Sequence, residues 1–237
     1  MAAVIGLLVV MEAAANPILA AGFGFDLAAA AHFGSLFDRG AEAAELIRWG
    51  ALIDLGGYLS FGVVILYLGL RLWRGNELVV ATLTASGVGA VLVGGTGAAV
   101  LAVVVPSLLG DFAGAPGAAG EAARVALETL GRAIAGGAWG IVTFGLLGAW
   151  LVGIGLLLGR DRVGALAIVG GIGMLASSIR TGLTGRILPD LAGPFDTVIV
   201  LAIVGLLSFA FVWLLWLALR LWRGPDQVIE KPQVSRG

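Results

Sequence analysis

Four polar residues stand where the surrounding chain is apolar: Glu12, Asn16, Asp54 and Arg180. Glu12 falls at the middle of a stretch that runs from about Ala3 to Gly22. A central acid such as Asp costs about 2.5–3.5 kcal/mol on a translocon-type insertion scale. Asn16 follows four residues later and shares the same helical face. Asp54 lies about one turn inside one end of the apolar stretch Leu52–Trp73, and Arg180 about one turn inside the matching end of Val163–Leu183. Equal depth makes an Asp54–Arg180 contact possible. Together the four residues are the material of an intramembrane polar pocket for a substrate, an ion or a proton. The plainer use is a protonated or paired Glu12, with Asp54 and Arg180 reaching interfacial water.

Other chemistries lack their residues. There is no cysteine, which argues against disulfides, thiolate catalysis and Cys-ligated metals. A retinal Schiff base needs a membrane lysine, and the single lysine, Lys231, is in a polar tail. Bis-histidine haem ligation needs a second histidine beside His32, which reads as a loop residue. The H-E-x-x-H zinc motif and the G-x-x-x-x-G-K-[ST] phosphate loop are both missing from the sequence. A formal net charge of −1 gives no basic face for nucleic acid. No cofactor and no catalytic constellation is therefore expected.

The elements that position these residues read as membrane helices. Of 237 residues 59% are hydrophobic and only 12% charged, with a mean hydropathy of +1.05; soluble domains carry about 25% charged residues. Leu52–Trp73 is long enough, at ~1.5 Å per residue, to extend about 33 Å across a ~30 Å hydrocarbon core. Similar stretches cover about 3–22, 78–109, 133–158, 163–183 and 197–222. The first has no Lys or Arg ahead of it and reads as a helix rather than a signal peptide. The expected fold is all-α: a six-transmembrane-helix bundle over 1–224 and a polar cytoplasmic tail over 225–237. Two long connections, 23–49 and 106–132, are expected to hold short interfacial helices. The second starts at Pro106 and carries Glu121, Arg124, Glu128 and Arg132 as one stripe with i,i+4 opposite-charge pairs.

The run Leu70-Arg71-Leu72-Trp73-Arg74-Gly75 recurs letter for letter at 219–224, with Arg220, Trp222 and Arg223 in the matching places. Aromatic rings settle at headgroup depth and arginines gather on the cytoplasmic side, so Arg71, Trp73, Arg74, Arg220, Trp222 and Arg223 read as inner-face anchors. Both termini are then cytoplasmic. In layout the chain resembles a family of six-helix bacterial membrane proteins that carries only a domain-of-unknown-function label. The shared features are a first helix ending near Pro17-Ile18-Leu19, a loop of some 25 residues, a second helix ending Leu-Arg-Leu-Trp-Arg, the Arg160-Asp161-Arg162 turn and a Trp-rich last helix. The resemblance spans about residues 1–224 and implies the fold alone, with no activity and no catalytic residue; a bacterial inner-membrane location is expected beside it.

Small residues recur at helical spacing: Ser86, Ala90, Gly94, Ala98 and Ala102 in one row, Gly136 and Gly140 in another. Such rows let backbones approach closely. Two functions are consistent with these residues. One is a non-catalytic accessory or assembly subunit that packs against other membrane proteins or self-associates within the bilayer. The other is a small transporter or membrane sensor built on Glu12, Asn16, Asp54 and Arg180. Gly94→Leu is expected to wedge helices apart, and Gly117→Leu, in a loop, to be nearly silent.

The charge pattern makes a topology prediction. Cysteines replacing Asn76 and Gln227 are expected to react with an impermeant thiol reagent only from the cytoplasm, and one replacing Ala118 only from outside. Labelling of the Asn76 position from outside would reverse the orientation.

Overall fold

The computed structural model describes residues 1–26, 32–112, 115, 117–159, 162–185 and 194–223; the expected tail 225–237 and most of the Arg160-Asp161-Arg162 turn lie outside them. The described residues form helices throughout. They are α1 (Ala2–Gly22), a 3-10 turn (Phe33–Asp38), α2 (Gly40–Leu72), α3 (Glu77–Phe112) and α4 (Ala118–Gly131). A π-helical segment (Arg132–Thr143), α5 (Phe144–Leu158), α6 (Arg162–Thr184) and α7 (Pro194–Arg223) follow. Among the described residues, five helices are long and apolar enough to cross a membrane: α1, α2, α3, the continuous rod from Ala118 to Leu158, and α6. The chain is a helical, membrane-compatible protein.

Each long helix packs against its neighbours in sequence, and α1 packs against α7. The result is a closed ring in the order α1, α2, α3, α5, α6, α7. Contacts step down α1 and α2 in opposite directions: Ile47 lies against Gly22, Leu19 against Gly50, and Glu12 against Gly57. Where α5 meets α6 the approach is backbone to backbone. A Cβ on either Gly148 or Gly171 would stand 2.8 Å from the other's carbonyl oxygen.

Two hydrophobic clusters fill the ring at different heights. One, with Ile5, Leu68, Ile154, Val163, Leu217 and Leu221 fully or nearly buried, holds Leu72 and Met1 at its edge. It therefore marks the end where α2 and α7 carry their Trp–Arg runs, here termed the anchor end. Trp73 and Trp222 are exposed there, and Arg71 lies over the Tyr67 ring at 5.5 Å. The other cluster gathers Phe23, Phe33, Leu36, Ile47, Leu109 and Leu127 beneath the 3-10 turn and α4, at the connection end.

Both long connections are shorter than their polarity suggests. α2 begins at Gly40, well before Leu52. Glu42, Glu45 and Arg48 break the hydropathy, yet they occupy a different face from Ala43, Ala44, Ile47 and Ala51, which are buried. Glu45 and Arg48 are 3.6 Å apart on that exposed side. Pro106 lies inside α3 rather than starting a loop, and α3 continues to Phe112. The charged stripe of α4 runs without a break into the π segment and α5. Its pairing also differs from the expectation: Glu128 meets Arg132 at 2.9 Å, but Arg124 turns away from the stripe to Asp38, at 2.8 Å.

The small-residue row of α3 is in contact within the chain. Ser86 Oγ donates to the Leu146 carbonyl at 2.9 Å, Ala90 and Ala98 are buried, and Gly94 lies under the Tyr58 ring. Gly140 faces Thr181 of α6, and Gly136 is half-buried one turn before it. Gly117, by contrast, has φ +70°, a conformation that side chains rarely adopt, so leucine there is strained despite open space. It is unsuited to serve as the silent control. Gly182, helical and with nothing near its missing Cβ, is the better one. Gly94→Leu is expected to cost about 1–3 kcal/mol by overpacking, read as a lower melting temperature in detergent, with Gly182→Leu unchanged. Equal effects at the two positions would mean that Gly94 is not a close-packed position.

Candidate functional site

α1 carries Glu12 midway along its length, and α2 makes room for it. A Cβ at position 57 would stand 2.6 Å from Glu12 Oε1, so only glycine leaves the carboxylate its place against the α2 backbone. Asn16, one turn on, donates from Nδ2 to the Glu12 backbone carbonyl at 3.0 Å, not to the carboxylate. Asp54 precedes Gly57 by three residues and so lies about one turn nearer the connection end. The register of α1 on α2 thus brings both acids within about one turn of each other inside the ring.

Glu12, Asn16 and Asp54 line a single cavity of about 290 Å³ inside the ring. Its other walls come from α2, the π segment, α5, α6 and α7, with Tyr58, Trp139, Thr143, Phe144 and Phe211 among them. Toward the anchor end it is closed by Phe61, Trp150 and Trp213, stacked edge to face at centroid separations of 5.4 and 5.8 Å. Trp139 is fixed by a 2.9 Å hydrogen bond from Nε1 to the Gly94 carbonyl. In the π segment, residues four apart lie close to one face, which presents Trp139 and Thr143 together. π turns of this kind recur at functional sites.

Among the described residues, no cation and no hydrogen-bond donor meets the carboxylate of Glu12 or of Asp54. Arg180 is not among the cavity residues. It lies on α6, which packs against α5, α7 and the π segment, whereas α2 packs against α1 and α3. Depth alone set Asp54 and Arg180 level, but the ring separates their helices. Two further cavity residues, Thr143 and Trp213, are 1% and 0% exposed, and Thr143 Oγ1 and Trp213 Nε1 have no hydrogen-bond partner. The sequence reading missed Tyr58, although it stands four residues after Asp54 on the same helical face. Trp139, Thr143 and Trp213 gave no local signal, because only the ring closure brings them to the acids.

No three His, Asp or Glu side chains converge as a metal site would require, among the described residues. A second polar group lies at the connection end. Arg124 grips Asp38 with two hydrogen bonds of 2.8 and 3.3 Å and lies over the Phe37 ring at 5.8 Å. Glu128 accepts from the Gly34 amide at 3.0 Å and from Arg132 Nε at 2.9 Å, with His32 Nδ1 at 3.4 Å. These bonds tie the 3-10 turn to α4 as a clasp over the ring. Comparison with protein-family models, with curated proteins and with solved structures finds no match to the chain.

The clasp carries a pH prediction. Hydrogen bonding from Arg124, against a small desolvation effect, holds the Asp38 carboxyl below its ordinary value. A depressed folded value means that the ionised form adds stability above the ordinary carboxylate pKa of about 3.9, and that this is lost as pH falls through the lower folded value. Asp38→Asn is therefore expected to lower the melting temperature at neutral pH, with the gap to wild type closing in acid. A gap independent of pH would show that the clasp does not depend on the Asp38 charge.

Proposed function

We propose that this chain is a six-span protein of a bacterial inner membrane, with both termini cytoplasmic, and that it acts as a small transporter or sensor whose ligand site is the cavity at Glu12, Asn16 and Asp54. In this reading α7 is the sixth span, and the 3-10 turn and α4 lie at the outer surface of the bilayer. The length of α7, 30 residues, and its closure of the ring against α1 support the count. The exposed Trp and Arg residues at the anchor end support the orientation.

One observation carries the functional reading: two carboxylates from different helices share a cavity with no counter-charge beside them among the described residues. Ionisable groups at this depth are costly and are typically retained where a pathway or ligand uses them. A bundle that served only for packing would gain by replacing both with apolar residues. The accessory-subunit reading drew on the small-residue rows. Those of α3 and the π segment meet Tyr58, Leu146 and Thr181 within the chain, which leaves less of them for a partner.

Purified in mild detergent, the chain is expected to elute without a companion protein. Glu12→Gln preserves shape and is expected to keep the melting temperature while abolishing proton or ion flux in proteoliposomes. Wild-type vesicles silent across a broad panel of ions and pH gradients, together with a stoichiometric co-purifying membrane protein, would return the accessory reading.

A further inference from the structure

The cavity's chemistry is narrower than "a polar pocket", and it points to a class of ligand. Among the described residues, the charged ones that line it are Glu12 and Asp54, with no Lys, Arg or His. An anion is therefore disfavoured, and a cation favoured, by every charge that borders the space. Six of the other fifteen lining residues are aromatic, Tyr58, Phe61, Trp139, Phe144, Phe211 and Trp213, and most of the rest are aliphatic. The faces of aromatic rings attract cations within about 6 Å, and most strongly where water is excluded. A bare Mg²⁺ or Ca²⁺ would need about six or more oxygen ligands around it. Among the described residues no third His, Asp or Glu joins the two carboxylates, and the 290 Å³ volume is far larger than a bare ion requires.

Access adds a second constraint. Of the cavity residues, Asn16 on α1 and Phe211 on α7 are exposed, while the others are buried or half-buried. The exposed part of the described lining thus lies on α1 and α7. Toward the anchor end the Phe61–Trp150–Trp213 stack blocks passage. A ligand that enters between α1 and α7 must already partition into the bilayer.

We propose that the cavity binds a lipophilic organic monocation, a hydrophobic amine or quaternary ammonium. Its charge sits at Glu12 and Asp54, its apolar body lies against the aromatic wall, and it enters from the bilayer between α1 and α7. This rests on the reading of the cavity as a ligand site and specifies what that site selects.

The test uses the full chain in detergent micelles and three probes of similar size. They are benzyltrimethylammonium, its neutral isostere neopentylbenzene, and the anion 3-phenylpropanoate. Binding is read by quenching of tryptophan fluorescence and by thermal shift. Saturable binding of the ammonium is expected, at least tenfold tighter than either other probe, and weakened at least tenfold in a Glu12→Gln/Asp54→Asn double variant whose circular dichroism and elution are unchanged. The wild-type comparison of cation with neutral isostere stands even if the variant fails to fold. Equal saturable binding of the ammonium and neopentylbenzene would overturn the cation class while keeping the cavity as a ligand site. Tighter binding of the anion would do the same. No saturable binding of any probe would overturn this proposal and count against the ligand-site reading as well.

Discussion

The fit of Glu12 against Gly57 is the constraint on which the centre of the structure depends. A carboxylate inside an apolar bundle needs room and shelter, and the missing side chain at position 57 supplies the room. Leu19 on Gly50 and Ile47 on Gly22 repeat the arrangement toward the connection end, so α1 and α2 mesh through side chain against glycine along most of α1. With that register fixed, Asp54 stands one turn from Glu12, and Tyr58 follows on the same face with its ring over Gly94 of α3. Gly94 in turn receives the indole hydrogen bond of Trp139. A run of contacts thus leads from Glu12 on α1, by way of Tyr58 and Gly94, round to the π segment.

The polar level is kept apart from both ends by different means. Below it, toward the Trp–Arg runs, the edge-to-face stack of Phe61, Trp150 and Trp213 tops a dry apolar cluster. Above it the second cluster is roofed by the 3-10 turn and α4, whose attachment is ionic at the rim and aromatic beneath, where Phe33 packs on Phe23 at 5.2 Å. Surface ion pairs contribute little individually, so the buried phenyl rings hold this roof and the Asp38–Arg124 pair sets its position.

Hydropathy and length made the helical, membrane-compatible class legible, because a run of twenty apolar residues has few other uses. They failed where amphipathicity replaced hydropathy. Gly40 to Ala51 is helix because Ala43, Ala44 and Ile47 bury one face, although Glu42, Glu45 and Arg48 lower the average to that of a loop. Pro106 read as a stop, yet proline's missing N–H forfeits a single bond in a helix held by neighbours on several sides. At the site, Glu12, Asn16 and Asp54 were recognisable from their unusual setting. Their partners were not, since Trp139 and Trp213 are ordinary membrane tryptophans until the ring gives them a position. Arg180 shows the limit of depth as evidence: it locates a residue along the ring's axis but not around it.

The closure of the ring by α7 against α1 has a consequence for biogenesis. α7 leaves the ribosome roughly two hundred residues after α1, and until it does the aromatic floor lacks Trp213 and the cavity lacks a wall. Throughout synthesis Glu12 therefore borders an open seam, where lipid, water or an insertion factor must accommodate it. The helix pair most distant in sequence is also the last to form, so the site is completed in a single late step. A nascent chain arrested before α7 would hold nearly all of the helices and yet lack the α7 wall of the chamber.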